Sequence, residues 1–195
     1  MAPTPPPRIR LPAPGAGEAA LELRDNVTGA PPRQPSRVCL ARTAEALAVR
    51  FECEDEEPWA TIHRRDGPLY TEETVEVFLD PFGDLQCYFE IEVNPLNTVM
   101  DLMLRRIGRG WRKELAWHCE GLRTSVTRSG TGWTATLGIP FAALAAAPPR
   151  AGAVWRANFL RIDRPRGVPR ELSAWSPTGY HTFHEAARFG FLEFV

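Results

Sequence analysis

Apolar and polar residues alternate with a period of two along much of this chain. In the segment ETVEVFLDP, Val75, Val77 and Leu79 fall on one side of an extended strand. Glu76 and Phe78 fall on the other side. Three further segments alternate in the same way: ALAVRFECED (46–55), QCYFEIEVNP (86–95) and NTVMDLMLRR (97–106). This period is typical of half-buried β-strands, so each segment is predicted to be a strand.

Turn-forming residues separate the strands and leave little room for helix. The stretch 122–141 is predicted to form two strands joined by the turn RSGTG, whose glycines can adopt the positive φ values of a hairpin. Two more strands are predicted over 154–163 and 188–195. Prolines at positions 81, 95, 140 and 165 end strand patterns, since proline lacks an N–H. IPFAALAAA, between Pro140 and Pro148, can form at most two helical turns.

These elements predict an all-β protein. Many short strands separated by turns favour an antiparallel β-sandwich or jelly roll, with at most one or two short helices. No repeat or linker divides residues 21–195, so they are predicted to form one domain. Residues 1–20 are rich in Pro, Ala and Gly, which predicts a flexible tail before that domain.

Composition excludes several classes of partner. The 195 residues carry a formal net charge of -1, so we expect neither nucleic acid nor an anionic membrane as a partner. The longest apolar run, around 141–147, is far shorter than the roughly 20 residues that cross a bilayer. No signal-peptide pattern is visible at the N-terminus, so cytoplasmic is the default localisation. The four cysteines lie in apolar or alternating runs without C-x-x-C spacing, which predicts free thiols.

Catalytic and metal-binding motifs are scarce. The sequence has no G-x-S-x-G, no P-loop, no H-E-x-x-H and no G-x-G-x-x-G after a strand. His181 and His184 would lie on opposite faces of a strand, so His184 is as readily explained as a packed, hydrogen-bonded side chain. The acidic loops ECEDEEP and LDPFGD could hold calcium through several oxygens, with Asp80 and Asp84 as weak candidate ligands.

Three acids leave an enzymatic alternative open. Glu76, Glu90 and Glu92 can share one face of a sheet, and a glycosidase needs two carboxyl groups roughly 5–9 Å apart. Acids on the outer face of a strand are more often simply solvated. Pattern alone therefore does not support hydrolysis.

Five segments in order carry a family resemblance: RDGPLYTEETVEVFLDP, YFEIEVNPLNTVMD, GWTATLGIPFAAL, WRANFLRID and SAWSPT…FHEAARFGFLEF. Together they resemble the family 9 carbohydrate-binding modules, and most of all the stand-alone bacterial domains of that type. The resemblance extends from about Leu23 to Val195. It implies a β-sandwich that binds saccharides without catalysis, contains structural calcium and takes part in carbohydrate catabolism, with an enzyme as a possible partner.

The resemblance also implies a ligand-binding site. Family members hold the end of a saccharide between two aromatic rings, and Tyr70 and Trp175 match those positions. Glu76 matches the acid of the following strand, and Arg161 lies near a strand that carries a hydrogen-bonding residue. Aromatic faces bind sugar rings and charged groups orient the hydroxyls, which is consistent with these roles. Glu90 and His184 complete the candidate ligand-binding residues.

Two other functions stay open at this point. One is a glycoside hydrolase, or its accessory subunit, that uses Glu76 with Glu90. The other is a structural or interaction domain whose sugar site has decayed. Tyr70 in place of the family's tryptophan and Ile162 at an expected polar position are the observations in favour of the second.

Overall fold

Fourteen strands and very little helix make up the computed structural model, which describes residues 5–145 and 147–195. In chain order the strands are β1 (Arg8–Leu11), β2 (Ala19–Glu22), β3 (Arg24–Asp25), β4 (Ser36–Arg42), β5 (Ala46–Glu54), β6 (Thr74–Asp80), β7 (Cys87–Val93), β8 (Val99–Ile107), β9 (Gly110–Glu114), β10 (Arg123–Ser129), β11 (Gly132–Pro140), β12 (Val154–Asp163), β13 (Glu171–Ala174) and β14 (Gly190–Phe194). The helix α1 (Phe141–Leu144) and two 3₁₀ turns, Leu69–Thr71 and Ala186–Arg188, complete the fold.

The strands form two sheets. The large sheet has the order β1-β14-β12-β6-β7-β8-β9, with β13 paired to β12 and β3 paired to β13. The small sheet has the order β10-β11-β5-β4-β2. All pairs are antiparallel except β1 with β14. The predicted antiparallel β-sandwich with few helical residues is confirmed, and no helix within the described ranges has the length and apolar character to cross a membrane.

The main core lies between the two sheets and follows the alternation in the sequence. Val75, Val77 and Leu79 of β6 pack there with Val49 and Phe51 of β5. The β10–β11 hairpin also agrees with the sequence. Its Gly132 has a φ of +154°, and an added Cβ would lie 2.0 Å from the Cys53 carbonyl oxygen, so only glycine fits.

A second apolar cluster covers the outer face of the large sheet. Its buried members are Leu69, Phe78, Tyr88, Met100, Leu102, Leu104, Leu160, Ile162, Leu172, Ala174, Phe183, Ala186 and Phe189. The central strands are therefore buried on both faces, and all seven residues of β6 are buried. Acids on this outer face are not solvated, contrary to the usual expectation for a two-layer sandwich.

The predicted tail over residues 1–20 needs correction. Strand β1 pairs in parallel with β14, and Leu11 is fully buried in the main core. Strand β2 starts at Ala19 and pairs with β4. Proline-rich flanks suggested a tail, but the alternating stretch RIRL adds an edge strand to the sheet. Residues 1–4 lie outside the described residues.

Candidate functional site

A groove with a volume of about 230 Å³ opens on the outer face of the large sheet. Its lining combines apolar, acidic and basic side chains. They are Tyr70, Glu76, Glu90, Lys113, Ile162, Arg170, Leu172, His181, Thr182, Phe183 and His184. Four of the six predicted ligand-binding residues, Tyr70, Glu76, Glu90 and His184, therefore meet in one place.

Two loops form the walls of the groove and are held by buried polar groups. The Glu72 carboxylate accepts hydrogen bonds from the backbone N–H groups of Thr61 and Ile62, at 2.7 and 3.2 Å, which fixes the loop that carries Tyr70. The amide of the buried Asn26 donates to the carbonyl oxygens of Tyr180 and Thr182, at 2.7 and 3.1 Å. This second contact fixes the loop that carries the two histidines.

Tyr70 provides the aromatic surface. It lies in the 3₁₀ turn Leu69–Thr71, and 42% of its surface is exposed. The ammonium of Lys113 lies 5.3 Å from the centre of its ring. An exposed aromatic ring beside a cation offers both an apolar surface and a hydrogen-bond donor at the groove rim.

Glu76 and Glu90 lie on the floor of the groove, and the fully buried Glu92 lies next to them. Glu76 of β6 lies opposite Glu92 of β7, and one carboxylate oxygen from each of Glu76, Glu90 and Glu92 lies within 4.8 Å of the others. Their exposed fractions are only 3%, 2% and 0%. Burial raises the pKa of Glu76 well above its usual range, and the charge of Glu90 adds to the rise. Burial and then the charge of Glu76 raise the pKa of Glu92 well above its usual range.

His184 both packs and faces the groove. Its ring stacks on Phe78 at 5.5 Å between centroids, and Nδ1 lies 2.6 Å from the Tyr88 hydroxyl. Burial lowers the pKa of His184 below its usual value, which favours the neutral imidazole. His181 is exposed and also lines the groove. Within the described residues, neither histidine belongs to a group of side chains spaced to hold a metal.

Arg161 is not in the groove. Its neighbours Leu160 and Ile162 face the outer cluster, so the alternation of β12 turns Arg161 to the other side, where it is fully buried. Its Nη2 donates to Asp55 Oδ2 at 2.7 Å and to Asp163 Oδ1 at 3.1 Å. The ligand role predicted for Arg161 therefore gives way to a buried ion-pair network between the sheets.

Trp175 is also outside the groove. It belongs to the main core with 8% of its surface exposed, and its ring centroid lies 5.8 Å from that of Phe159. A Cβ added to Gly190 would lie 2.4 Å from Trp175 Cζ3, so the indole packs directly on the backbone of β14. The second aromatic wall predicted at Trp175 is replaced by the side chains of the loop 181–184.

Asp80 and Asp84 have turn-forming roles. Asp80 Oδ1 accepts from the backbone N–H groups of Phe82 and Gly83, at 3.0 and 2.7 Å, and Oδ2 accepts from Leu85 at 3.0 Å. Asp84 Oδ1 accepts from the Gln86 N–H at 2.9 Å. Side chains that close a turn in this way are typical of aspartate. The described residues place neither acid in a metal-ligating group.

Much of the groove's cationic rim was not predicted from the sequence. Lys113 comes from β9, Arg170 directly precedes β13, and both contribute to the lining. Lys113 is the only lysine of the chain, yet nothing in its local pattern marks it as a binding residue. Lys113 reaches the groove on the last strand of the β6-β7-β8-β9 series, and Arg170 reaches it because β12, the partner of β13, pairs with β6. Residue spacing alone could not reveal either position.

No family model and no curated protein matches the sequence. The fold is similar to that of a proposed carbohydrate-binding protein from Bacteroides uniformis, with a TM-score of 0.75 and 17% identity over 97% of this chain and 99% of that one. It is also similar to a family 9 carbohydrate-binding module from Caldicellulosiruptor kristjanssonii. The complex of that module with glucose gives a TM-score of 0.69 at 15% identity, over 96% of this chain and 95% of that one. Its complex with cellotriose gives 0.68 at 15% identity, over 96% and 93%. The chain therefore has the β-sandwich fold of the family 9 carbohydrate-binding modules.

Proposed function

We propose that this protein binds the end of a saccharide in the groove, without catalysis, as part of carbohydrate catabolism. The observation that carries the proposal is the convergence of Tyr70, Glu76, Glu90 and His184 from separate chain segments in one groove. Solved structures with the same fold contain glucose or cellotriose. An enzyme that acts on the bound saccharide would be a separate partner.

The chemistry of the groove suits sugar hydroxyls, which both donate and accept hydrogen bonds. Lys113 and Arg170 supply cationic donors at the rim, and Glu90 supplies carboxylate oxygens on the floor. Burial raises the pKa of Glu76 well above its usual range, which favours the protonated carboxyl group, a hydrogen-bond donor as well as an acceptor. Tyr70, with Leu172 on the lining, covers the apolar face of a ring.

The groove continues past its first compartment. A second concavity of about 500 Å³ shares Arg170, Leu172 and His181 with the first and extends to Asp25 and Arg33. The first compartment lies below the roughly 300–1,000 Å³ of sites for drug-sized ligands. A single sugar ring suits it, and the shared boundary offers a path for further units. We therefore favour an oligosaccharide whose terminal ring enters beside Tyr70.

Tyr70→Ala is expected to weaken saccharide binding by about tenfold or more, because it removes the exposed aromatic surface (about 1.4 kcal/mol or more). Calorimetric titration with glucose, cellotriose and xylo-oligosaccharides measures the change. Tyr180→Ala is the matched control, since Tyr180 is 59% exposed and lies outside the groove lining. Equal affinities for wild type and Tyr70→Ala would contradict the proposed site. Release of reducing sugars during the titration would support the hydrolase instead.

We also propose a structural calcium ion, for which the residues at one cluster fit. One oxygen from each of Asp55, Glu73 and Asp163 lies within 4.8 Å of the others, and all three residues are buried. Glu73 Oε1 has no hydrogen-bond partner among the described residues. Carboxylate oxygens are the donors that calcium prefers. Arg161 pairs with two of the three acids, Asp55 and Asp163. One guanidinium then faces three carboxyl groups, and a calcium ion would compensate the remaining negative charge.

Glu73→Gln tests this cluster through its pH dependence. Burial, followed by the charge of Asp55, raises the pKa of Glu73 to about 8 from 4.5. The folded state holds the proton on Glu73 more tightly than the unfolded state does. The metal-free fold therefore loses stability as the pH rises from 4.5 to about 8. We expect Glu73→Gln to lose less over the same interval in chelator, and to gain less from added calcium. Urea unfolding measures both.

Asp84→Asn is the control for the calcium experiment. Asp84 is exposed and its hydrogen bond to Gln86 can be kept by asparagine, so the variant should respond to calcium as the wild type does. Calcium at about one hundred times its dissociation constant stabilises the fold by about 2.7 kcal/mol. An unchanged calcium response in Glu73→Gln, or a lost calcium response in Asp84→Asn, would contradict a calcium site at Asp55, Glu73 and Asp163.

A further inference from the structure

Two basic side chains of the groove lining, Lys113 and Arg170, are exposed and have no acidic partner. Across the described ranges, neither of them forms an ion pair. The neighbouring Arg33 differs, since its Nε lies 3.4 Å from Glu171 Oε1. The two unpaired cations are therefore available to a negatively charged ligand.

The acids beneath the rim compensate these cations only in part. Glu76, Glu90 and the adjacent Glu92 are buried, and one oxygen of each lies within 4.8 Å of the others. Buried carboxyl groups this close to one another do not all ionise. Burial and then the charge of a neighbouring glutamate raise the pKa of Glu76 and of Glu92. The three acids therefore hold fewer than three negative charges, and the rim keeps its positive character.

Lys113 and Arg170 stand on opposite sides of Glu76. Lys113 belongs to β9, three strands from β6, and Arg170 directly precedes β13, which is two strands from β6 in the other direction. Burial raises the pKa of Glu76 most and Glu90 adds to the rise, whereas the charges of Lys113 and Arg170 oppose it. Both cations therefore act on the space above Glu76, so a ligand held there lies between two positive charges.

We propose that the groove prefers an acidic saccharide with a single carboxylate, such as a uronic acid, and that Arg170 binds this carboxylate. The inference rests on the proposed saccharide-binding function and names its ligand class. A planar guanidinium matches a carboxylate through two parallel hydrogen bonds, which an ammonium cannot do. Arg170 also borders both compartments, whereas Lys113 lies 5.3 Å from the centre of the Tyr70 ring and adds positive charge beside it.

The acids of the second compartment do not compete for Arg170. Glu171 is held by Arg33, both through the ion pair and through the backbone N–H of Arg33 at 2.9 Å. Asp25 Oδ1 accepts from the backbone N–H of Thr28 at 2.7 Å and from its hydroxyl group. Each acid is therefore engaged with its own partner, and Arg170 is left for the ligand.

A singly charged group suits this groove better than a phosphate does. A phosphate monoester carries about two negative charges near neutral pH, and it would bring them close to the glutamates of the floor. A sulfate ester carries one charge but does not present the planar pair of oxygens that a guanidinium matches. Both esters are therefore useful comparison ligands.

The test compares ligands that differ in charge alone. Calorimetry on the full chain at neutral pH measures the affinity for glucuronic acid, its methyl ester, glucose and cellotriose. We expect the acid to bind about fivefold or more tightly than the ester at ~0.01 M salt. This ratio should approach one in about 1 M salt, because the Debye length falls from about 30 Å to about 3 Å. Tighter binding of glucose 6-sulfate or glucose 6-phosphate than of glucuronic acid would overturn the choice of a carboxylate.

The ratio of the acid and ester affinities also assigns the residue. Arg170→Gln should bring the ratio close to one, and Lys113→Met should lower it by less. Arg166→Gln is the matched control, because Arg166 is equally an exposed arginine of the loop before β13 but pairs with Glu57 and lies outside the lining. A ratio that Arg170→Gln leaves unchanged, or that Arg166→Gln lowers as much, would overturn the assignment.

The neutral ligands separate this inference from the proposed function. Equal wild-type affinities for the acid and the ester, with glucose or cellotriose still bound, would overturn the acidic preference and keep the saccharide site. Binding of the acid alone, lost in Arg170→Gln, would support the preference. If none of the saccharides binds, the saccharide-binding function is wrong and the acidic preference is wrong with it.

Discussion

Replacing Arg161 by methionine is expected to lower the free energy of unfolding by about 3–5 kcal/mol. The guanidinium is fully buried and pairs with Asp55 and Asp163, while its Nη1 donates to the Glu54 carbonyl oxygen at 2.8 Å. Methionine keeps much of the volume but leaves those carboxylates without their cation. Removing one partner of a buried pair is costly for that reason.

The loss should depend on pH. Burial raises the pKa of Asp163, and Arg161 opposes that rise. Without Arg161 the folded state would hold protons more tightly, so the destabilisation should increase as the pH rises and shrink in acid. Urea unfolding at neutral and mildly acidic pH measures both effects.

Arg50→Met is the matched control for Arg161→Met. Arg50 pairs with Glu18 and Glu52, but its side chain is 37% exposed, so the same change should cost no more than about 1 kcal/mol. Similar losses in the two variants would contradict the buried-network assignment. A selective loss of saccharide affinity in Arg161→Met, with normal stability, would restore its predicted role as a ligand-binding residue.

The alternation of residues was enough to predict the fold, because a half-buried strand imposes it directly. The segments around Val49, Val77 and Ile91 all became strands with those residues in the main core. Alternation was not enough to predict β1, although RIRL does alternate. RIRL is short and flanked by proline-rich sequence, and only its pairing with β14, at the other end of the chain, makes it a strand.

The groove was only partly predictable, since a period of two assigns a side chain to a face but not to an environment. It placed Glu76 and Glu90 together on the outer face, where loops that follow no regular pattern then buried them. On β12 the same period puts Arg161 and Ile162 on opposite faces, which does not agree with the ligand role that the resemblance implied for Arg161. Lys113 and Arg170 lie on the groove lining because of the order of the strands in the large sheet. The local pattern of residues in the sequence does not specify that order.

His184 shows how two interpretations of one residue can both hold. The sequence suggested either a packed, hydrogen-bonded ring or a ligand-binding group. The structure confirms the packing on Phe78 and the contact with Tyr88, and it also places the ring on the groove lining. A half-buried side chain at the edge of a cluster can therefore support the site and still face a ligand, which remains our prediction for His184.

Trp175→Ala is expected to lower the free energy of unfolding by about 3–5 kcal/mol while leaving the saccharide affinity of the folded protein unchanged. The indole fills the main core between Phe159 and the backbone at Gly190, so alanine would leave a cavity. Packing around a rigid strand backbone can relax only in part, which accounts for the size of the loss. Because Trp175 is not part of the groove lining, the saccharide affinity of the groove should not change.

Stability and affinity must be measured separately to test Trp175, because a binding role and a core role both predict reduced binding by an unstable sample. Urea unfolding gives the stability, and calorimetry at a temperature where Trp175→Ala is folded gives the saccharide affinity. Trp111→Ala is the matched control. Trp111 is half-buried on the edge strand β9, so its loss should be clearly smaller. If Trp175→Ala instead lost saccharide affinity with its stability intact, the indole would be a ligand-binding wall and the packing observed between the sheets would not describe the bound protein.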